Sequence, residues 1–228
     1  MLAGCSAVLG IEDLHPPTIH GAVRDLAGGT VSNVSIVLYR APEAVGSDGT
    51  RIDAATTDGQ GRFELPLSAA LPLIGYLDLD DAPFVRTFSH LIQPVVDHAD
   101  FDVEVFTLTA AGLATLASGA QVTQDPARAV VIARIVDMDG GVLVGATVHA
   151  EVGTSATPVS QICYTNSLTN FPCATGATGP DGLAWLFDVP ETDSLKITAV
   201  DAEGQPQVLV FRVIAAPSLV FTLVRPGS

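Results

Sequence analysis

The chain has 228 residues, of which 48% are hydrophobic and 15% are charged, a balance that favours a folded protein over a disordered one. Its 25 acidic residues outnumber ten lysines and arginines, and the formal charge of −15 argues against electrostatic binding to nucleic acid or anionic lipid. At the usual ~100 to 150 residues per domain, this length predicts two domains.

The chain opens with Leu2, Ala3 and Gly4 before Cys5, and this segment resembles the lipobox, the site at which bacterial lipoprotein precursors are cleaved and lipidated on a cysteine. Ala3 and Gly4 are the small residues that the peptidase cleft requires before Cys5. The resemblance implies that Cys5 is the mature N-terminus and carries acyl chains, and that Ser6 directs the protein to the outer membrane. Because no basic and apolar signal segment precedes these residues, a chance match at an ordinary N-terminus is the alternative.

Residues 1–17 are interpreted as a lipobox remnant and a short tether. Pro16 and Pro17 at its end favour an extended backbone. No later apolar run approaches the ~20 residues that a membrane-spanning helix requires, so we expect membrane contact only through the N-terminal lipid.

Two sequence motifs each occur twice, in the same order. The first ends a strand with an aspartate and places a glycine three residues later, at Asp25 and Gly28 and again 112 residues on at Asp137 and Gly140. An aspartate can accept hydrogen bonds from turn amides, and glycine tolerates positive φ. The motif therefore predicts a hairpin in each copy.

The second motif is a glycine-rich turn that leads into a short strand, at residues 57–65 and 178–186. Gly61 recurs 121 residues later as Gly182, so the second copy contains an insertion of nine residues between its motifs. Strict alternation over 101–107 and 147–152 predicts half-buried strands, and about seven short strands are expected in each copy. An alanine-rich stretch over 109–121 is the best helical segment.

Cys163 and Cys173 lie within the inserted region and enclose a short polar loop. We predict that they form a disulfide, worth roughly 2 to 3 kcal/mol, in an oxidising compartment. No cysteine or histidine spacing supplies the further ligands of a zinc site.

The two motifs together are similar to those of the carboxypeptidase regulatory-like family, whose fold is a seven-stranded prealbumin-like β-sandwich. The first copy matches at Gly21, Asp25, Gly28, Gly61 and Phe63 among others, and the second copy is looser. The resemblance implies an all-β protein with two tandem seven-stranded Ig-like or prealbumin-like β-sandwiches. Their predicted bounds are 18–108 and 128–228, joined by a helical linker at 109–127. The family's modules are accessory domains, so no catalytic residue is carried over.

Two clusters of polar residues are candidate metal sites. His90 and His98 lie near Asp97 and Asp100, and together they could hold a divalent ion. The alternative is a polar loop that enters a half-solvated strand. The acidic segment 78–81 suggests calcium, but it lacks an EF-hand loop, so we interpret it as a surface turn.

Aromatic residues in the cysteine-bracketed loop are the candidate binding tip, because loops at the ends of sandwiches carry recognition. These residues are Tyr164 and Phe171, whereas Trp185 is predicted to lie in the core. No nucleophile elbow occurs anywhere in the chain.

The sequence therefore predicts a non-enzymatic, lipid-anchored protein of the outer membrane, periplasm or exterior, without a cofactor, that acts in adhesion or as a scaffold. The expected partners are other surface proteins or polysaccharide. One alternative is a carbohydrate-binding accessory module of a secreted system. The other is a metal-dependent enzyme that uses His90 and His98.

Overall fold

The structure is a computed structural model, and it describes residues 16–41, 49–67, 71–91, 95, 100–137, 139–159, 161–165, 173, 176–213 and 218–224. The described chain is mostly β-strand with one helix, as the sequence predicts. No helix among these residues is long and apolar enough to cross a membrane.

The first sequence copy forms seven strands. They are β1 (Thr18–Asp25), β2 (Ser35–Arg40), β3 (Thr50–Thr56), β4 (Arg62–Pro66), β5 (Gly75–Leu79), β6 (Thr87–His90) and β7 (Phe101–Thr107). A three-stranded sheet in the order β4-β1-β7 packs against strands β6-β5-β2-β3. The apolar core between these layers includes Ile19, Leu65 and Leu77, all almost completely buried.

Helix α1 (Ala110–Gly119) follows, and the second copy then forms eight strands, one more than predicted. They are β8 (Ala129–Ile135), β9 (Thr147–Val152), β10 (Thr157–Pro158), β11 (Ile162–Thr165), β12 (Leu183–Val189), β13 (Thr192–Val200), β14 (Pro206–Val213) and β15 (Leu219–Val224). Strands β10-β9-β13-β14 form one layer, and β11-β12-β8-β15 lie in the other. The additional strand is β11, which belongs to the inserted region.

The two halves share one continuous sheet. Strand β15, at the end of the chain, pairs in parallel with β8 of its own half and with β6 of the first half. The result is an eight-stranded sheet in the order β11-β12-β8-β15-β6-β5-β2-β3. Tyr76 and Phe88 of the first half pack into the core of the second half. The halves are therefore joined by backbone hydrogen bonds and by a common core as well as by the α1 segment.

The hairpin turns of the two copies are built in the same way. Asp25 Oδ1 accepts hydrogen bonds from the amides two and four residues further on, at 2.9 and 2.7 Å, and Asp137 Oδ1 does the same at 2.9 and 2.7 Å. Gly28 and Gly140 adopt φ values of +87° and +84°. The predicted role of the repeated Asp and Gly residues is confirmed.

A buried threonine marks the second motif in both copies. Thr57 Oγ1 accepts a hydrogen bond from Val34 N at 3.1 Å, and Thr178 Oγ1 accepts one from Ala146 N at 3.0 Å. Both threonines are almost fully buried. Each satisfies a backbone amide where the strand after the hairpin begins, so the repeat is preserved in hydrogen bonds as well as in turns.

Equivalent sheet faces of the two copies have opposite character. Register places His20 of β1 and Ile132 of β8 at the same position, on the outer face of their sheets. His20 is open to solvent, whereas Ile132 is covered by Leu113 and Ala117 of α1. Thr109 caps this helix by accepting a hydrogen bond from Gly112 N at 3.1 Å. The helix predicted at 109–121 therefore exists, and it covers an apolar face that the second copy would otherwise expose.

A disulfide joins Cys163 to Cys173, as the sequence predicts. Cys163 lies on β11, is buried, and is paired in register with Trp185 of β12. The crosslink therefore fixes the insertion to the edge of the long sheet.

Replacing both cysteines by alanine is expected to lower the free energy of unfolding by about 3 kcal/mol, because the crosslink restricts the unfolded chain. Urea denaturation with and without reductant measures this change. The double variant is the control, since reductant leaves its midpoint unchanged. A wild type equally insensitive to reductant would show that the crosslink does not contribute to stability.

Candidate functional site

The proposed metal ligands lie in different surroundings. His90 packs edge-on against Phe211 and Tyr76, with ring centroids 5.0 and 6.0 Å apart. Asp100 instead accepts a hydrogen bond from Thr18 N at 3.1 Å, and its Oδ2 lies 3.6 Å from His20 Nε2. Asp97 and His98 lie outside the described residues. Within the described ranges, no three His, Cys, Asp or Glu side chains are arranged to hold a metal ion.

The predicted binding tip is wrong with respect to Tyr164. Its side chain is buried, and its hydroxyl oxygen accepts a hydrogen bond from Val148 N at 2.8 Å, so the ring is unable to stack on a ligand. Phe171 and the lipidation candidate Cys5 lie outside the described residues. Trp185 is fully buried, as predicted, and its indole Nε1 donates to Thr165 Oγ1 at 3.0 Å.

The acidic segment at 78–81 is only partly a surface turn. Asp78 is buried at the end of β5 and accepts two hydrogen bonds from Arg86, at 3.0 and 2.7 Å. Asp81 Oδ2 accepts from Ser35 N at 3.3 Å. These carboxylates serve internal contacts rather than a calcium site.

The burial of His90 makes the stability of the fold depend on pH. Desolvation lowers the pKa of its imidazole from 6.5 to about 4, against the opposing effect of a hydrogen bond with the backbone of Phe221. Its Nδ1 is buried without a hydrogen-bond partner in the part of the chain that the structure describes. Between pH 6.5 and about 4, the imidazole is therefore neutral in the folded state and protonated in the unfolded state.

The contribution of neutral His90 to stability is complete above pH 6.5 and is lost as the pH falls toward 4, by at most about 3 kcal/mol. We expect His90→Phe, which keeps an aromatic ring, to lose correspondingly less stability than the wild type between pH 7.5 and pH 4.0. Urea denaturation of both proteins at both pH values gives the two losses of unfolding free energy. The other titrating groups contribute equally to both losses, so their contributions cancel in the difference. Equal losses in the two proteins would contradict the prediction.

An open polar face on the three-stranded sheet escaped the sequence analysis. Strand register places His20 between Glu64 and Asp102 in one row, and the next row has Ala22 at its centre. His20 Nδ1 lies 3.4 Å from Glu64 Oε1. These rows line a hollow of about 530 Å³, which includes Glu104. The small side chain of Ala22 leaves its floor open.

A second hollow of about 330 Å³ lies where the two halves meet. Its lining comes from both halves: Phe106 of β7 faces Phe221 of β15, with ring centroids 5.8 Å apart, and Arg134 and Asp181 stand beside them. Glu104 lines both hollows and is bound by Arg24, whose Nε lies 2.6 Å from its Oε1.

We call the two hollows, which share Glu104 in their linings, the outer groove. It runs from His20 to Phe221, and it is our candidate functional site. Its residues are dispersed over the whole chain, and only the alternation within β7, which separates Asp102 and Glu104 from Val103 and Val105, indicated that some would face solvent. Knowledge of the strand pairing was needed to bring them together.

No protein-family model matches the chain, and no curated protein matches it. Among solved structures, the Bacillus anthracis TIE protein is similar at 13% identity and a TM-score of 0.31, over 92% of this chain and 34% of that one. A streptococcal ancillary pilin is similar at 13% identity and a TM-score of 0.28, over 94% and 63%. The shaft pilin SpaA of Lactobacillus rhamnosus GG is similar at 10% identity and a TM-score of 0.29, over 93% and 98%. The chain spans about a third of the first and under two thirds of the second.

Proposed function

We propose that this protein is a non-enzymatic structural or adhesive module that works outside the cytoplasm. The observation that carries the proposal is the continuous eight-stranded sheet, which joins the two halves of the chain into one body. A body held by strand pairing and by a shared core keeps its two ends at a fixed separation. That property suits a spacer or a scaffold.

The way in which reactive side chains are used supports a non-enzymatic role. His90 packs among aromatic rings, Asp78 is bound to Arg86, and Asp25 and Asp137 cap turns. Each of these groups has a structural task in the fold. The disulfide is consistent with an oxidising compartment, because such crosslinks persist there.

The finer proposal follows the resemblance to the carboxypeptidase regulatory-like family. Residues 18–108 and 128–228 are the two modules, 109–127 is the linker, and 1–17 is the tether. Lipidation at Cys5 would attach the tether to a membrane, with other surface proteins or polysaccharide as partners.

Expression in the native host, from the natural gene with its upstream region, tests the proposed cellular location. We expect mass spectrometry to find acyl chains on Cys5 and an oxidised Cys163–Cys173 pair, and added protease to reach the chain in intact or outer-membrane-permeabilised cells. Cys5→Ser is the control and should release the protein from the membrane fraction. An unmodified chain in the cytoplasm with reduced cysteines would refute the proposal.

Unfolding tests whether the two halves act as one body. Hydrogen exchange followed by mass spectrometry over a urea series reports on peptides from each half. We expect β2, β3, β5 and β6 of the first half and β8, β12 and β15 of the second half to lose protection at the same urea concentration, because these strands share one sheet. Two separate midpoints would contradict a rigid scaffold.

A further inference from the structure

We propose that the outer groove binds an uncharged oligosaccharide. This inference rests on the proposed function, which names polysaccharide among the partners, and deepens it by assigning that ligand a site on the open face of the first half and the adjoining part of the second. It concerns described side chains alone and does not depend on lipidation. The groove has the three properties that such a ligand needs: an accessible floor, planar polar groups along its length, and an aromatic end.

The floor of the groove is shallow and accessible because its central residues are small. Ala22 lies at the centre of its row, and Gly21 beside it leaves room for the Phe63 ring on the inner side of the sheet. The two hollows, of about 530 and 330 Å³, lie within the range of small-molecule sites, which is roughly 300 to 1,000 Å³. A chain of a few sugar rings therefore fits along the sheet.

The polar groups along the groove suit vicinal hydroxyls. A carboxylate accepts two hydrogen bonds and a guanidinium donates two in a fixed plane, which is the arrangement that adjacent hydroxyl groups of a sugar require. Asp102 and Glu64 flank His20 at one end, and Arg134 and Asp181 stand at the other. Among the described side chains, no ion pair engages Arg134 or Asp181, so both are available to a ligand.

The aromatic end supplies an apolar contact for the face of a sugar ring. Phe106 and Phe221 are partly exposed, and their tilted rings meet where the two halves join. Exposed aromatic surface beside converging polar groups is characteristic of a ligand site rather than of a solvated sheet face.

The distribution of charge opposes an anionic ligand. The four carboxylates of Glu64, Asp102, Glu104 and Asp181 outnumber the two guanidinium groups of Arg62 and Arg134 along the groove, so its local charge is negative. The whole chain is strongly acidic at −15, which opposes binding of an anionic polysaccharide. A metal ion is not favoured either, since the described side chains form no metal-holding group.

The comparison between the two copies shows which parts of their outer sheet faces stay accessible to a ligand. On the equivalent face of the second half, α1 packs over the part that carries Ile132 and Trp185, whereas Arg134 and Phe221 of that face stay accessible and line the groove. The first half instead exposes polar side chains at those positions and leaves the face open. The outer groove therefore combines the open face of the first half with the uncovered part of the equivalent face in the second half.

A glycan array followed by isothermal titration calorimetry with cellotetraose, xylotetraose and chitotetraose tests the proposal. We expect at least one neutral glycan to bind. Ala22→Gln, which fills the floor, and Arg134→Gln, which removes a donor, should each weaken binding about tenfold or more. Val210→Gln is the matched control, since Val210 is exposed on β14 and lies outside the groove.

Three results would overturn the proposal. One is an array on which no neutral glycan binds, and the second is binding confined to anionic glycans such as heparin. The third is binding that both groove variants leave unchanged while circular dichroism shows an intact fold. The localisation experiment is independent of these outcomes. A protein that binds no glycan could still be a surface scaffold, so the failure of one proposal does not imply the failure of the other.

Discussion

Phe63→Ala should lower the free energy of unfolding by about 3 to 5 kcal/mol, the usual cost of emptying a buried aromatic site. Phe63 lies on β4, is almost completely buried, and its ring occupies the space above Gly21 of β1. A methyl group on Gly21 would overlap that ring, so the two residues form one packing unit. Urea denaturation of the variant measures the loss.

The second copy shows how this packing unit can be exchanged as a pair. Ala133 stands at the position of Gly21 and Ala184 at that of Phe63, and the two alanines are register partners just as Gly21 and Phe63 are. The second copy therefore replaces glycine and phenylalanine by two alanines, and the two changes compensate each other in volume. This explains why its match to the motif is looser in the sequence.

Gly21→Ala alone is expected to cost about 1 to 3 kcal/mol through overpacking. In the double variant with Phe63→Ala, the added methyl group fills part of the vacated space. Its destabilisation should therefore be smaller than the sum of the two single changes. Additive losses would show that the two positions are independent and that the packing unit does not exist.

Arg86→Met is expected to destabilise the protein by about 3 kcal/mol, because it leaves the buried carboxylate of Asp78 without its partner. The arginine makes two hydrogen bonds to that carboxylate, which raise the pKa of its guanidinium, and it also lies 4.9 Å from the centre of the Phe88 ring. Its side chain is 34% exposed, which places the expected loss at the lower end of the range for buried pairs.

The exposed pair between Arg24 and Glu104 is the matched control. Its side chains are 41% and 48% exposed, so Arg24→Met should change the free energy of unfolding by less than about 1 kcal/mol. The double variant Asp78→Asn/Arg86→Met should recover part of the loss, because no charge remains buried. Denaturation curves that place both arginine variants at the same stability would contradict this account.

Local signals in the sequence predicted local structure well. Asp25 with Gly28, and Asp137 with Gly140, specify their turns through hydrogen bonds and backbone conformation that depend on neighbouring residues alone. The helix at 110–119 was likewise predicted from composition and from a stop at glycine. The strand pattern at 101–107 predicted which side chains face solvent.

The shared sheet could not be predicted because it depends on distant strand edges. Strand β6 has only four residues, Thr87–His90, and no hydrophobic alternation that distinguishes it from a loop. Its parallel partner β15 lies at the other end of the chain. The outer groove depends on that same pairing, since Phe221 reaches Phe106 only when β15 lies beside β6.

The prediction that Tyr164 belongs to a binding tip is wrong because polar loop residues and extended edge strands look alike in this part of the sequence, whereas Phe171 lies outside the described residues. The first part of the insertion, Ile162–Thr165, is instead an edge strand paired with β12, and Tyr164 points inward along that strand. A disulfide in a polar stretch indicates restraint, but it does not reveal whether the restrained segment projects from the sheet or extends it.

The parallel pairing of β15 with β6 has a consequence for biosynthesis. Ser89 is synthesised about 130 residues before Leu219, so the hydrogen-bonding edge of β6 stays unsatisfied until β15 has been synthesised. A truncated chain that lacks β15 would keep that edge open to any passing extended segment. The edge is concealed only when β15 pairs with it, which couples the solubility of the first half to the synthesis of that strand.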